Sequence, residues 1–192
     1  MRIAFFGGSF DPPHCGHLAV AHAAREALAL DRVLFAPVGL QPFKPDGSSA
    51  SFEDRVAMTR LAIEGEQGFE LSLADAPAGD TPNYTVDTLT RLHTALPENT
   101  KLFLLLGADA FRSLPSWRQT AEIRQLAQLI VASRPGESLP EAGQPGLYLL
   151  SDVHYEISAT EIREQIHGNS ANLPPLLPPA VLTYIHQHGL YR

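Results

Sequence analysis

The chain has 192 residues, of which 44% are apolar and 18% charged, with a formal net charge of −7. That balance excludes a disordered polyelectrolyte, and its acidity argues against a nucleic-acid binder, which needs a broad basic face. No apolar run reaches the roughly 20 residues of a membrane span.

One domain is expected over 1–192. Cys15 is the lone cysteine and cannot form an intrachain disulfide, which suits a reducing cytosol.

Arg2–Phe6 (RIAFF) reads as a buried strand and leaves no room for a secretory leader, so the expected location is the cytoplasm. Gly16–Leu30 carries apolar residues at helical spacing, and Arg32–Pro37 (RVLFAP) reads as a second strand. A Pro/Gly/Ser-rich loop runs from Val38 to Ala50. Ser51 then opens SFED, a capping sequence for a helix through about Glu64. Phe69–Leu73 is a short strand, and a helix is expected near Thr85–Leu96. Lys101–Leu106 (KLFLLL) is the clearest buried strand, ended by Gly107.

An irregular stretch around Pro115 precedes a helix near Gln119–Gln125 and the strand Leu129–Ala132. Leu147–Leu150 reads as one more strand before a helix beginning at Ser158, and a terminal helix runs through His188. Strands alternating with helices predict a Rossmann-like α/β fold, a three-layer sandwich around a mostly parallel sheet. Ligands then sit outside the carboxyl ends of the strands, so the loops after Phe6, Pro37, Leu106 and Ala132 should share one crevice.

The loop after the first strand, Gly7–His17, reads GGSFDPPHCGH. It is neither GxGxxG nor the GxxxxGK[ST] phosphate loop. Paired glycines nevertheless let backbone amides approach a phosphate, and the following helix N-terminus adds free N–H groups and partial positive charge. His14 and His17, three apart, can face one ligand from a helix start. As a metal pair they lack an obvious third ligand, and two such histidines could also merely cap the helix. Cys15 is expected to pack inward rather than act as a nucleophile. The second motif, Ile157–Arg163 (ISATEIR), is a capping box in Ser158 and Glu161, with Arg163 one turn on as the cation of a second anion site.

The first segment resembles the HxGH signature of the nucleotidylyltransferase superfamily, and the second resembles its ISSTxIR motif, with Ala159 in place of a serine. The resemblance implies an ATP site built from Gly7, Gly8, Ser9, Phe10, His14, His17, Ile157, Ser158, Thr160 and Arg163. Catalysis would then rest on His14, His17 and Arg163, with Mg²⁺ held mainly by the ATP phosphates.

Between the motifs, the chain resembles bacterial nicotinate mononucleotide adenylyltransferases over nearly its whole length. Asn83–Leu89 (NYTVDTL) looks like the Y-T-x-x-T-L segment of that family, and Leu106–Asp109 (LGAD) like its G-x-D turn. Pro115–Trp117 looks like its P-x-W, Ser133–Gly136 like its R-R-P-G, and LTYIHQHGLYR like its C-terminal end. Carried over, Gly107 and Asp109 serve the ATP ribose, while Tyr84, Thr85, Trp117, Lys44 and Arg134 serve the mononucleotide. Phe43 stands where the family often has histidine.

The implied substrates are ATP and nicotinate mononucleotide, with no nucleic acid and no membrane, and a homo-oligomer stays open. Nicotinamide mononucleotide or phosphopantetheine as acceptor, or a non-catalytic nucleotide sensor, are the competing readings. His22, His93, His154, His167, His186 and His188 receive no role.

Overall fold

Alternation along the strands decides which faces are covered. In the strand Arg2–Gly8 (β1), Ile3 and Phe5 point to one side while Ala4 and Phe6 point to the other, and all four are buried. The computed structural model describes residues 1–42, 47–133, 143–151, 153, 158–168 and 176–192. Among these, the other strands are β2 (Arg32–Pro37), β3 (Phe69–Leu71), β4 (Lys101–Gly107), β5 (Gln128–Ala132) and β6 (Leu147–Leu150). They form one sheet in the order β3-β2-β1-β4-β5-β6, with every pairing parallel. From β1 the chain moves outward through β2 and β3, then returns to the middle with β4 and moves outward the other way. The boundary between β1 and β4 is therefore the switch point at which such sheets bind ligands.

The helices are α1 (Cys15–Leu28), α2 (Phe52–Ala62), α3 (Thr85–Ala95), α4 (Ala108–Ser113), α5 (Thr120–Leu126), α6 (Ala159–His167) and α7 (Pro179–His188). Val20, Ala21, Ala24 and Leu28 of α1 pack on Phe6, Phe35, Phe103 and Leu105. On the opposite face, Val86 and Leu89 of α3 and Ile123 of α5 pack on Phe5, Leu104 and Leu106. A third cluster joins Met58 of α2 to Ile162 of α6 and Val181 and Ile185 of α7. The three-layer α/β sandwich expected from the alternation of elements is the observed architecture.

One stretch differs from the expected pattern. The residues after β4 are not irregular but form α4 followed by a 3-10 turn at Leu114–Ser116. A six-residue helix is too short to display apolar periodicity, which is why the sequence hid it. No described helix is long and apolar enough to cross a membrane.

Candidate functional site

β1 ends in Gly7 and Gly8, which pair with Ala36 and Pro37 of β2. Beyond them the chain turns at Phe10, whose φ of +48° lies in the left-handed region. The Phe10 ring is buried among Phe6, Phe35 and His17, with centroids 5.5, 5.7 and 4.9 Å away. Only the main chain of Phe10 is left to face a ligand.

His14 then caps α1, and its ring lies against that of His17 with centroids 3.7 Å apart and planes 31° from parallel. The His14 main-chain N–H donates to His17 Nδ1 at 3.1 Å. A neutral imidazole that accepts at Nδ1 carries its proton on Nε2, so His17 holds a donor ready. Burial, with the neighbouring His14 second, holds the His17 pKa well below 6.5. The expectation that the two histidines share one side is met, and the capping role is real as well. Cys15, beside them, is half-buried, and burial pushes its thiol pKa up, so it stays protonated near neutral pH.

The loop from Ser9 to His14 is held from four directions. Arg55 of α2, nearly fully buried, donates from Nη1 to the Ser9 carbonyl at 2.8 Å. The Ser49 and Ala50 amides donate to the Asp11 carboxylate at 2.6 and 3.1 Å, and the Tyr191 hydroxyl donates to its Oδ1 at 2.8 Å. Arg163 of α6 donates from Nη1 to the Asp11 carbonyl at 2.7 Å.

The second motif thus reaches the first across 152 positions. Its cap is as expected, with Ser158 Oγ accepting from the Glu161 amide at 3.2 Å and Glu161 Oε2 accepting from the Ser158 amide at 3.0 Å. Thr160 sits on the exposed side of the same turn, 3.3 Å from Arg163 Nη2.

Across β1, the same glycines line a cavity of about 470 Å³. Phe5, Phe6 and Leu104–Leu106 form its floor, and Tyr84, Thr85, Gly107, Asp109 and Trp117 stand around it. Trp117 is half-buried and donates from Nε1 to Ser113 Oγ at 3.0 Å. Asp109 is not in a free turn but in the first turn of α4, paired with Arg112 and largely exposed.

Three expected residues, Lys44, Arg134 and Ile157, lie outside the described residues. The structure brings Tyr84, Thr85, Gly107, Asp109 and Trp117 to the cavity, and His14, His17, Ser158, Thr160 and Arg163 to the other side of β1. Phe6 joins the two sides, since it lines the cavity and its ring lies 6.0 Å from His17.

Sequence reasoning missed three residues here, Gln41, Arg118 and Asp75, and named Asn83 within its motif without giving it a role. Gln41 lines the cavity and donates to Ser9 Oγ at 3.0 Å, tying the long loop to the first. Arg118 also lines the cavity, with its guanidinium 4.9 Å from the Tyr84 ring centroid. Its place directly after Trp117 was a usable signal. Asn83 accepts from the Leu40 amide at 2.9 Å and donates to the Ala76 carbonyl at 3.0 Å, closing one cavity wall. There the chains run so close that a Cβ on Gly39 would come within 2.6 Å of Pro77 N. Asp75 is buried in that wall, with Oδ1 bonded to the Thr88 hydroxyl, and burial raises its pKa.

Residues 5–165 match the family described as cytidylyltransferase-like. A protein of Gloeobacter violaceus described as "Probable nicotinate-nucleotide adenylyltransferase" is 42% identical, over 99% of this chain and 96% of its own length. The chain belongs to the nicotinate-nucleotide adenylyltransferase family. A member from Thermus thermophilus is likewise 42% identical, over the full length of both. The fold is also that of Plasmodium falciparum nicotinic acid mononucleotide adenylyltransferase complexed with NaAD. That structure covers 99% of this chain and 97% of its own, with a TM-score of 0.81 at 20% identity.

Proposed function

We propose that this adenylyltransferase joins ATP to nicotinate mononucleotide, giving nicotinate adenine dinucleotide and pyrophosphate, with the two substrates on opposite sides of Gly7–Gly8. The observation that carries this division is the pairing of the adjacent His14 and His17 rings with a mostly apolar cavity lined by Trp117, joined through Phe6. A planar pyridine ring suits the second region and a triphosphate the first.

The mononucleotide 5′-phosphate oxygen attacks the α-phosphorus of ATP, a new P–O bond forms, and the bond to the pyrophosphate oxygen breaks. A phosphate monoester has its second pKa near about 6, so the nucleophile is already anionic and needs no general base. The protein positions the reactants and stabilises developing charge. His17 donates from Nε2, His14 lies against it, and Arg163 contributes a fixed cation beside the loop.

Tyr84, Thr85 and Trp117 hold the mononucleotide; Gly107 and Asp109, assigned to the ATP ribose by motif, line the same cavity, so the ATP ribose reaches across Gly7–Gly8 to them. Lys44 and Arg134 are assigned to the mononucleotide phosphate by motif alone.

Among the described residues, no three His, Cys, Asp or Glu side chains cluster as a metal site. Imidazole and guanidinium groups around the loop suit a Mg²⁺ ion carried in by ATP oxygens better than one caged by protein. Such an ion supplies charge neutralisation on the phosphates. We place the reaction in the cytoplasm.

The test is purified protein with Mg-ATP and, separately, nicotinate mononucleotide, nicotinamide mononucleotide and phosphopantetheine, with pyrophosphate release measured. The expected result is fastest release with the first. Release with none of the three, despite bound ATP, would favour the sensor reading.

A further inference from the structure

The C-terminal GLYR has no part in the reaction as described, yet the structure brings it to the Ser9–His14 loop. Gly189, with φ of +62°, caps α7 after His188, and the Leu190 amide returns to the Ile185 carbonyl at 3.0 Å. Tyr191 follows with φ of +62°, a conformation that aromatic residues rarely adopt. This backbone carries the phenol to Asp11, 180 positions earlier.

Asp11 is itself buried, and it does not face a ligand with its carboxylate: Ser49, Ala50 and Tyr191 occupy it. Its carbonyl receives Arg163. One residue therefore binds the terminal tyrosine through its side chain and the motif arginine through its main chain.

We propose that Tyr191 is a positioning residue for the ATP side of the site, acting through Asp11 on the histidine loop and on Arg163. Among the described residues, removing the hydroxyl leaves Asp11 Oδ1 with the Ala50 amide, while the buried carboxylate stays near Arg55 and the Asp11 carbonyl stays bonded to Arg163. A buried carboxylate short of a donor draws on the nearest cations. Arg163 is then pulled toward Asp11 and away from the phosphates. The cavity beyond β1 has no contact with Tyr191, so mononucleotide binding is left alone.

This inference rests on the adenylyl-transfer reading. A matched control lies on the same terminal helix, where the Tyr184 hydroxyl donates to Asp54 Oδ1 at 2.9 Å, away from the loop.

The experiment compares full-length Tyr191→Phe, Tyr184→Phe and the unsubstituted protein. It measures steady-state parameters for each substrate, ATP binding by calorimetry, and thermal melting. In Tyr191→Phe, kcat/KM for ATP should fall about tenfold, KM for the mononucleotide should stay within about twofold, and melting should match that of Tyr184→Phe. Placing 4-aminophenylalanine at 191, which restores a donor, should recover most of the loss.

ATP parameters unchanged within twofold would overturn the proposal. So would an equal loss for both substrates, or a Tyr191→Phe protein that fails to fold, since the bond would then serve the core. If the unsubstituted protein binds ATP but adenylates no acceptor, the functional reading fails, while calorimetry still decides the role of Tyr191.

Discussion

On the α1 side of β1, the motif side chains are polar and tied to main chain: His17 to the His14 amide, Arg163 to the Asp11 carbonyl. On the α3–α4 side, the cavity is mostly apolar; of its polar members, Asn83 is bonded into the neighbouring loops and Asp75 to Thr88 of α3. On the proposed reaction, the first side holds its donors rigidly, which is what stabilising a transferring adenylyl group requires. The second is shaped for a flat ring and leaves discrimination to a few groups at its edge.

Substitutions should separate the sides by kinetic constant. On the proposed roles, His17→Ala removes the donor at the transferring phosphate and should lower kcat by about 10²-fold or more. A folded variant with unchanged turnover would break the comparison at its stronger end. Trp117→Ala should weaken nicotinate mononucleotide binding about tenfold while sparing ATP affinity. Equal losses for both ligands in a binding titration would make Trp117 a packing residue and merge the two sides.

The smallest expected effect concerns pH, and it carries opposite signs on the two sides. His17 has its pKa held well below 6.5 in the fold, so between that depressed value and 6.5 the unfolded chain binds the extra proton. Its contribution makes stability rise with pH across that window. Asp75 has its pKa raised above 3.8, so above 3.8 the folded chain holds the extra proton, and its contribution makes stability fall as pH rises toward the folded value. Denaturant titrations of His17→Gln and Asp75→Asn against the parent should each remove one of these slopes. Difference curves of the same sign would show that one group has been read wrongly.

Much of this was legible in the sequence. β2 and β6 begin and end where their apolar runs do, and Ser51 and Ser158 cap the helices that their motifs announce. Both sequence motifs fold to one place, with Arg163 bonded to Asp11, because parallel topology brings successive loops to the same edge of the sheet. Two kinds of feature stayed hidden. Short elements such as α4 lack a full period of pattern, and so Asp109 was expected in a turn. Long-range ties such as Arg55 to Ser9 and Tyr191 to Asp11 leave no local spacing to recognise; only the folded chain makes them neighbours. An arginine inside an ordinary amphipathic helix reads as a solvated cation, whereas Arg55 is nearly fully buried.

Gly7 and Gly8 offer no side chain at the seam between the two sides. A Cβ on Gly7 would already stand 3.0 Å from the Phe5 ring. On the proposed arrangement, the two phosphates meet across this bare strip of backbone, and the described residues of the strip, Gly7 and Gly8, carry no nucleophilic side chain. On the reaction proposed above, the adenylyl group then changes hands once, and a single in-line displacement inverts the configuration at phosphorus. A chiral label at that atom would carry the imprint of two missing side chains.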